Sequence, residues 1–276
     1  MLNLPVGKNL KQIASENYLK YKYAKPFPHI SFENFFNEDY LNKVLEEFPN
    51  LANSQDSILH KGSTDFKYAS QRGDFLQKKY TKSLLQFLNS SEFIDFLQKI
   101  CGISEPLIPD PHFLGGGLHE TKRGGFLKVH ADFCKHPETS LDRRVNLLIF
   151  LNKNWKNSYK GYLTLFDKDM QNSKKISPDF NKIVIFNTTD FTFHGVPDPI
   201  QCPAYVSRKS LALYYFSNGR PKEELRDILF DGESTIYKTR PGENFKMDFK
   251  KLIIKLMPPI IYPILKKIRR KLIKNN

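Results

Sequence analysis

Four side chains that can bind a metal fall within seven residues of the segment FLKVHADFCKH: His130, Asp132, Cys134 and His136. They occupy alternate positions. Because side chains two residues apart on a β-strand point to the same face, this spacing can present several ligands together. The pattern predicts a metal site, and two ligand sets are compatible with it.

One set combines His130, Cys134 and His136 with a further ligand, which suits zinc. Structural zinc sites usually place paired ligands on tight turns, and no second Cys or His pair follows at a suitable spacing. Pro137 also favours a turn or edge position for the histidine before it. A zinc-dependent hydrolase is therefore the weaker alternative.

The other set joins His130 and Asp132 to a distant histidine. Two imidazoles and a carboxylate on one face of the metal hold non-haem Fe(II) and leave positions open for other ligands. His194, in the segment DFTFHGVPD, is the candidate third ligand. A lone histidine is more often a structural residue than a ligand, and spacing alone leaves both interpretations of His194 open.

Arg208 begins the apolar strand-like segment SRKSLALYYFS, so its guanidinium is expected to point into the fold. A buried cation needs an acidic partner or an anionic ligand, and the guanidinium fork suits a carboxylate. A salt bridge to a core acid such as Asp190 is the structural alternative. Arg208 also discriminates between the chemistries, since a zinc hydrolase has no need of it.

Helices precede strands in the predicted order of elements. The segment NEDYLNKVLEEF predicts a helix capped by Asn37, and residues 74–100 predict two helices that are divided at Asn-Ser-Ser and ended by Gly102. This order favours an α+β, mainly β fold, with a sandwich or small barrel and the helices packed outside. The candidate strands are residues 126–133, 144–152, 161–167, 182–188 and 207–217.

The chain contains, in this order, His130-x-Asp132, RRVNLLIFLNKNW (143–155), GYLTLF (161–166), His194-Gly195 and PAYVSRKSLALYYFS (203–217). Taken together, these segments resemble the Fe(II)- and 2-oxoglutarate-dependent dioxygenases, in the branch that includes the prolyl hydroxylases. The resemblance covers roughly residues 110–217, and residues 26–49 resemble the family's opening segment. It implies a double-stranded β-helix, a jelly roll with the iron inside its mouth.

The resemblance implies that His130, Asp132 and His194 are the iron ligands at the catalytic centre. It implies Fe(II), 2-oxoglutarate as cosubstrate and O2, with ascorbate as a candidate reductant, and hydroxylation of a C–H bond with release of succinate and CO2. Related halogenases have a small residue at the position of Asp132, so the carboxylate favours hydroxylation. A non-catalytic jelly-roll binding module is the non-enzymatic alternative, and the intact ligands argue against it.

The resemblance also implies cosubstrate-binding residues. Arg208 would bind the distal carboxylate of 2-oxoglutarate. Ser210 would assist it in an Arg-x-Ser pair, or be an ordinary strand residue. Asn146 would line the cosubstrate pocket, or hold two strands together.

Two departures concern the substrate. Phe150 stands where prolyl hydroxylases of the hypoxia-sensing type carry a tyrosine. A second family tyrosine, upstream of the first histidine ligand, is absent here, and the segment GGGLHETKRGG occupies that region, with His119 or Thr121 as the candidate substitute. These changes weaken the expectation that the substrate is a peptidyl-proline. The substrate is left as a peptidyl residue, a glycan or a small molecule.

Most of the net charge of +14 belongs to residues 246–276, which contain ten Lys or Arg and one Asp. This tail is too short and too broken by proline to span a bilayer. Its mixture of basic and apolar residues suits contact with an anionic membrane surface, or a C-terminal helix docked on the sheet. The rest of the chain does not indicate nucleic-acid binding.

The length of 276 residues predicts one large domain with terminal additions. We expect an N-terminal extension (1–28), a dioxygenase domain (29–220) and a C-terminal extension (221–276). Three scattered cysteines and the absence of a secretory signal favour a cytoplasmic protein, with the tail as a peripheral contact at the inner membrane face.

Overall fold

A computed structural model of the protein describes residues 6, 9–55, 57–70, 78–110, 112–224, 232 and 234–243. The chain separates into two compact units, residues 1–238 and 239–276. The basic tail, for which membrane contact is predicted, lies outside the described residues. Within the described ranges, no helix has the length and apolar character needed to cross a membrane. The domain boundaries at residues 28 and 220 stay predictions.

The helices cluster in the first part of the chain, as predicted. The side chain of Asn37 accepts from the backbone N–H of Tyr40 and caps α2, and Ser90 caps α4. Gly102 ends α4 in the left-handed conformation. Helix α1, for which no prediction was made, packs against α4. The helices are α1 (Leu10–Lys22), α2 (Glu38–Glu46), α3 (Lys79–Leu88) and α4 (Ser91–Cys101).

Strands make up most of the rest of the first unit. All five predicted strands are present, as β6, β7, β8, β10 and β12, with ends within two residues of those predicted. The strands are β1 (His29–Phe32), β2 (Ser57–Lys61), β3 (Asp65–Ser70), β4 (Ile108–Pro109), β5 (Gly117–Thr121), β6 (Phe126–Ala131), β7 (Asp142–Phe150), β8 (Leu163–Phe166), β9 (Ser173–Ile176), β10 (Lys182–Asn187), β11 (Phe193–Val196), β12 (Arg208–Ser217) and β13 (Ile236–Tyr237).

The strands form one curled antiparallel sheet in the order β1-β10-β7-β12-β5-β3-β6-β11-β8-β9. Three further strands pair beside this path: β2 on β3, β4 on β12, and β13 on β6. The sheet is the core of a double-stranded β-helix, a mainly β fold with the N-terminal helices packed outside. The predicted fold class is confirmed.

Successive side chains of a strand point to opposite faces of a sheet, so the side chains of β7, β10 and β12 contribute alternately to two buried regions. One face packs against the helices in the main core and includes Leu147, Ile149, Ile185, Leu211 and Leu213. The other face lines the inside of the roll. It presents the apolar side chains Leu148, Phe150, Val184 and Phe186 together with the polar side chains Asn146, Arg208 and Ser210.

Candidate metal centre

The structure brings together three of the side chains that the sequence singled out. Ligand atoms of His130, Asp132 and His194 lie within 4.8 Å of one another. His130 in β6 and His194 in β11 are direct partners in the antiparallel register, and Asp132 follows β6. Asp132 Oδ1 lies 3.4 Å from His130 Nε2, and Asp132 Oδ2 lies 3.4 Å from His194 Nε2.

Backbone carbonyls fix the orientation of both imidazoles. His130 Nδ1 lies 2.8 Å from the carbonyl oxygen of Lys128, and His194 Nδ1 lies 3.1 Å from that of Thr192. Because a carbonyl only accepts, each Nδ1 carries the proton and each Nε2 directs a lone pair at the cluster. Burial lowers the pKa of His194 to about 4, so it is neutral at physiological pH. Both rings are prepared as metal ligands.

Asp132 is held by two side chains from β7. Arg143 Nη2 donates to Asp132 Oδ2 at 3.0 Å, and Asn146 Nδ2 donates to the same oxygen at 2.7 Å. Arg143 also donates to Asn146 Oδ1 through Nε (2.9 Å) and Nη2 (2.7 Å), which fixes the amide. Burial opposes ionisation of Asp132, but Arg143 and the two histidines hold its pKa well below the usual range. The carboxylate is ionised and oriented.

Arg143 is itself clamped between two aromatic rings. Its guanidinium carbon lies 3.4 Å from the ring centroid of Tyr214 and 4.5 Å from that of Phe133, and the residue is only 1% exposed. Stacking of this kind stabilises the cation and fixes its plane. No role was predicted for Arg143. An arginine at the start of a buried strand was the available signal.

Arg208 lies inside the roll and is 6% exposed. Its Nε donates to the carbonyl oxygen of Gly161 at 2.8 Å, and its guanidinium carbon lies 4.9 Å from the Phe150 ring centroid. No acid in the described part of the chain, Asp190 included, forms an ion pair with it. Burial lowers the pKa of Arg208 to about 10, so it stays cationic at neutral pH. Such a cation calls for an anionic ligand.

One cavity of roughly 100 Å³ joins the histidine–aspartate cluster to Arg208. Ser210 lies on the same wall as Arg208, two residues further along β12. Asn146 also lines the cavity, where the sequence predicted a cosubstrate contact. Its amide is committed to Asp132 and Arg143, so its observed contacts orient the carboxylate.

Two further residues of the predicted pocket lie in the same cavity. His119 and Thr121, on β5, both contribute to its lining. His119 Nε2 is buried and has no hydrogen-bond partner in the described structure. Burial holds the pKa of His119 well below its ordinary value, so the ring is neutral. It offers the cavity one uncommitted ring nitrogen.

The alternative zinc set is not assembled. Cys134 is buried, with its thiol directed at the carbonyl oxygen of Asp132 at 3.6 Å. His136 Nδ1 accepts from the backbone N–H groups of Glu138 and Thr139, both at 3.2 Å, and so closes a turn. In the described residues, the group with metal-binding geometry is the one formed by His130, Asp132 and His194.

Gly195 allows β11 to approach β6 closely beside the cluster. A Cβ at this position would lie 2.7 Å from the carbonyl oxygen of Leu127 and 2.9 Å from that of Lys128. The register between the strands shifts immediately after His194. The His194-Gly195 pair therefore combines a ligand with the residue that lets its strand dock.

Comparison with known proteins agrees with this geometry. Residues 116–216 match the 2OG-Fe(II) oxygenase superfamily. Over 199 residues the chain is 25% identical to the prolyl 3-hydroxylase OGFOD1 of Mus musculus. The aligned region covers 69% of this chain and 33% of that protein. The chain thus spans about a third of the length of this curated relative.

Two solved structures share the fold. One is a prolyl hydroxylase from Trichoplax adhaerens in complex with a hypoxia inducible factor oxygen degradation domain peptide fragment. Its TM-score is 0.55 and its sequence identity is 20%, over 75% of this chain and 90% of that one. A Pseudomonas putida prolyl-4-hydroxylase has a TM-score of 0.55 and 15% identity, over 76% of this chain and 100% of that one.

The donor set, the curled sheet and the family match lead to the same conclusion. Two imidazoles and one carboxylate suit Fe(II), and the family uses Fe(II), 2-oxoglutarate and O2. Over residues 116–216 the chain is similar to the 2OG-Fe(II) oxygenase superfamily, and the curated relative that it resembles is named a prolyl 3-hydroxylase.

Proposed function

We propose that the protein is an Fe(II)- and 2-oxoglutarate-dependent dioxygenase that hydroxylates a C–H bond and releases succinate and CO2. The observation that carries this proposal is the cluster of His130, Asp132 and His194 in the same cavity as Arg208, which forms no ion pair with any described residue. The two Nε2 atoms and the carboxylate would hold Fe(II). Bound Fe(II) would supply the activation of O2.

Arg208 is the proposed partner of the distal carboxylate of 2-oxoglutarate. Support comes from its burial, its charge and the absence of a described acid beside it. Ser210 would add a hydroxyl donor on the same wall, and His119 would add its uncommitted nitrogen. Asn146 would act through Asp132 by orienting the carboxylate.

For the substrate class, support comes from the names of the similar proteins. The relatives' names identify them as prolyl hydroxylases, so a prolyl residue is the first substrate to test. Phe150 lies buried where the hypoxia-sensing type has a tyrosine, so other peptidyl residues, glycans and small molecules belong in the same screen.

The first test is anaerobic addition of Fe(II) and 2-oxoglutarate to the purified protein, with detection of the visible metal-to-ligand charge-transfer band. We expect a band that is lost in Asp132→Ala and strongly weakened in Arg208→Ala. The exposed residues His112 and Arg123 supply control variants, His112→Ala and Arg123→Ala, which should keep it. Absence of a band in the wild type, with tight zinc retention, would contradict the proposal.

The proposed domain organisation places the oxygenase at residues 29–220 and a membrane-contacting tail at residues 246–276. The composition of the tail supports it. Cosedimentation with vesicles that contain phosphatidylserine should decrease strongly when the tail is deleted. Equal cosedimentation of both proteins would contradict tail-mediated contact.

A further inference from the structure

Lys67 is a second cation in the cavity, and the proposed reaction gives it no role. It lies on β3, in the hairpin that β3 forms with β2, and this strand pairs with β5 and β6. The side chain of Lys67 is half-buried and lines the cavity together with Asp132 and Arg208. An ammonium therefore faces the space beside the metal cluster.

Lys67 has no hydrogen bond or ion pair with any residue in the described part of the chain. Asp65 points to the same side of β3, since it lies two residues earlier. Its carboxylate contacts His60 Nδ1 at 3.6 Å and accepts from the hydroxyl of Thr64 at 3.3 Å. Asp132, the acid of the cavity, is already bonded to Arg143. Burial lowers the pKa of Lys67, which reflects the cost of this unpaired charge.

Lys67 and Arg208 lie on different walls. Strand β5 separates β3 from β12, so the two backbones are about 10 Å apart. The guanidinium of Arg208 is held in place on its own wall, because its Nε donates to the carbonyl oxygen of Gly161 and its central carbon lies 4.9 Å from the Phe150 ring centroid. The two cations therefore favour different anionic groups.

The charges of the cavity keep a positive excess after the cofactors are counted. Lys67, Arg143 and Arg208 outnumber the single acid, Asp132, by two among the described lining residues. Fe(II) adds two positive charges and the 2-oxoglutarate dianion adds two negative ones, so the excess is unchanged. Since uncompensated charge in a desolvated cavity is costly, the primary substrate is the remaining source of an anion.

We propose that Lys67 binds an oxyanion carried by the primary substrate, a carboxylate or a phosphate, so that the enzyme oxidises a C–H bond of an acid. This inference rests on the proposed function, because it assigns Arg208 to the cosubstrate. It narrows the substrate screen to molecules with an anionic group close to the oxidised carbon.

The test is the rate at which Lys67 is acylated by an N-hydroxysuccinimide ester, measured by peptide mass spectrometry. The full-length protein is loaded anaerobically with Fe(II) and 2-oxoglutarate, and the probes are acetate, inorganic phosphate and neutral acetamide. We expect at least one oxyanion to slow acylation of Lys67 by fivefold or more, while acetamide has no effect. The exposed Lys82 is the internal control and should react at a constant rate. The more protective oxyanion distinguishes a carboxylate from a phosphate.

Two outcomes would overturn the inference. In one, acetate and phosphate protect Lys67 no better than acetamide does. In the other, 2-oxoglutarate alone protects Lys67 fully, which would make it a cosubstrate residue. The charge-transfer band is recorded in the same samples, so a missing band marks failure of the proposed function instead.

Variants provide a second measurement. Lys67→Gln should leave the midpoint of the 2-oxoglutarate titration within about twofold of wild type, and the band itself shows that the variant is folded. In a screen of matched acids and amides, such as N-acetyl-proline and N-acetyl-prolinamide, any acid that stimulates succinate release should show a KM at least tenfold higher in Lys67→Gln. Lys67→Arg should retain most of the affinity, and Lys61→Gln, an exposed position on the same hairpin, should match wild type. Stimulation by amides in preference to acids would contradict the inference.

Discussion

Replacement of Asn146 by alanine tests the network that holds the carboxylate of the metal cluster. The change removes the 2.7 Å hydrogen bond from Asn146 Nδ2 to Asp132 Oδ2. It also removes the acceptor to which Arg143 donates through Nε and Nη2. Arg143 stays clamped between Phe133 and Tyr214 and keeps its Nη2 hydrogen bond to Asp132, while its Nε loses the acceptor that it has in the wild type.

The expected magnitude follows from these contacts. A hydrogen bond to a charged group contributes about 1.5–3 kcal/mol, and loss of a group that orients a metal ligand commonly weakens metal binding by roughly 10- to 100-fold. We expect the Fe(II) affinity of Asn146→Ala to fall by about that factor. Arg208 is untouched, so 2-oxoglutarate affinity at saturating Fe(II) should stay within about threefold of wild type.

The assay is an anaerobic Fe(II) titration at saturating 2-oxoglutarate, followed by a 2-oxoglutarate titration at saturating Fe(II). Asn53→Ala, at an exposed asparagine, is the control and should match wild type in both. Unchanged Fe(II) affinity in a folded Asn146→Ala protein would refute the reasoning. A selective loss of 2-oxoglutarate affinity would instead support the cosubstrate role that the family resemblance implies for Asn146.

Three further predictions concern stability and reactivity. Gly195→Ala should lower the melting temperature and abolish the charge-transfer band, because its Cβ would lie 2.7 Å from a backbone oxygen; Gly62→Ala, whose nearest contact would be 3.8 Å, should do neither. Burial raises the pKa of Cys101 to about 12 and that of Cys134 to about 11, so neither thiol should react with Ellman's reagent at pH 8 until urea is added; rapid native reaction would contradict this. Folding lowers the pKa of His194 to about 4, so on acidification the unfolded chain is protonated at this residue before the folded protein is. Urea unfolding of the metal-free protein should therefore show a free energy of unfolding that falls as pH drops from about 6.5 to 4, by up to ~3 kcal/mol from this group. A smaller loss in His194→Gln would identify His194 as the source, and an equal loss would assign the pH dependence to other groups.

The long central strands could be predicted because local pattern and tertiary environment agree. Strands β7 and β12 have nine and ten residues, and each contains an apolar run, Leu147–Phe150 in β7 and Leu211–Phe216 in β12. Capping residues mark α2 and α4. Strand β11 has only four residues, and a period cannot be read from so few. Helix α1 lacks a strong apolar stripe, so its burial against α4 depends on contacts that the local sequence does not encode.

The residues of the candidate site also differ in how far the local sequence predicts them. His130 and Asp132 belong to one two-residue spacing, which is visible in the sequence, while His194 comes from a distant strand and needed the family resemblance. The contact of Arg143 with Asp132 spans eleven residues and a turn, so no periodicity reveals it. Lys67 reaches the cavity only because β3 pairs with β5 and β6, which is a long-range property of the sheet.

The direct pairing of His130 with His194 makes the metal site a property of the closed sheet. A slip of one residue between β6 and β11 would turn one imidazole to the opposite face and separate the ligands. A chain emerging from the ribosome, or one with β11 misaligned, would hold at most two of the three donors near one another. Ferrous iron would thus be held by all three donors only in molecules whose roll is complete, and its binding would favour the correct strand alignment.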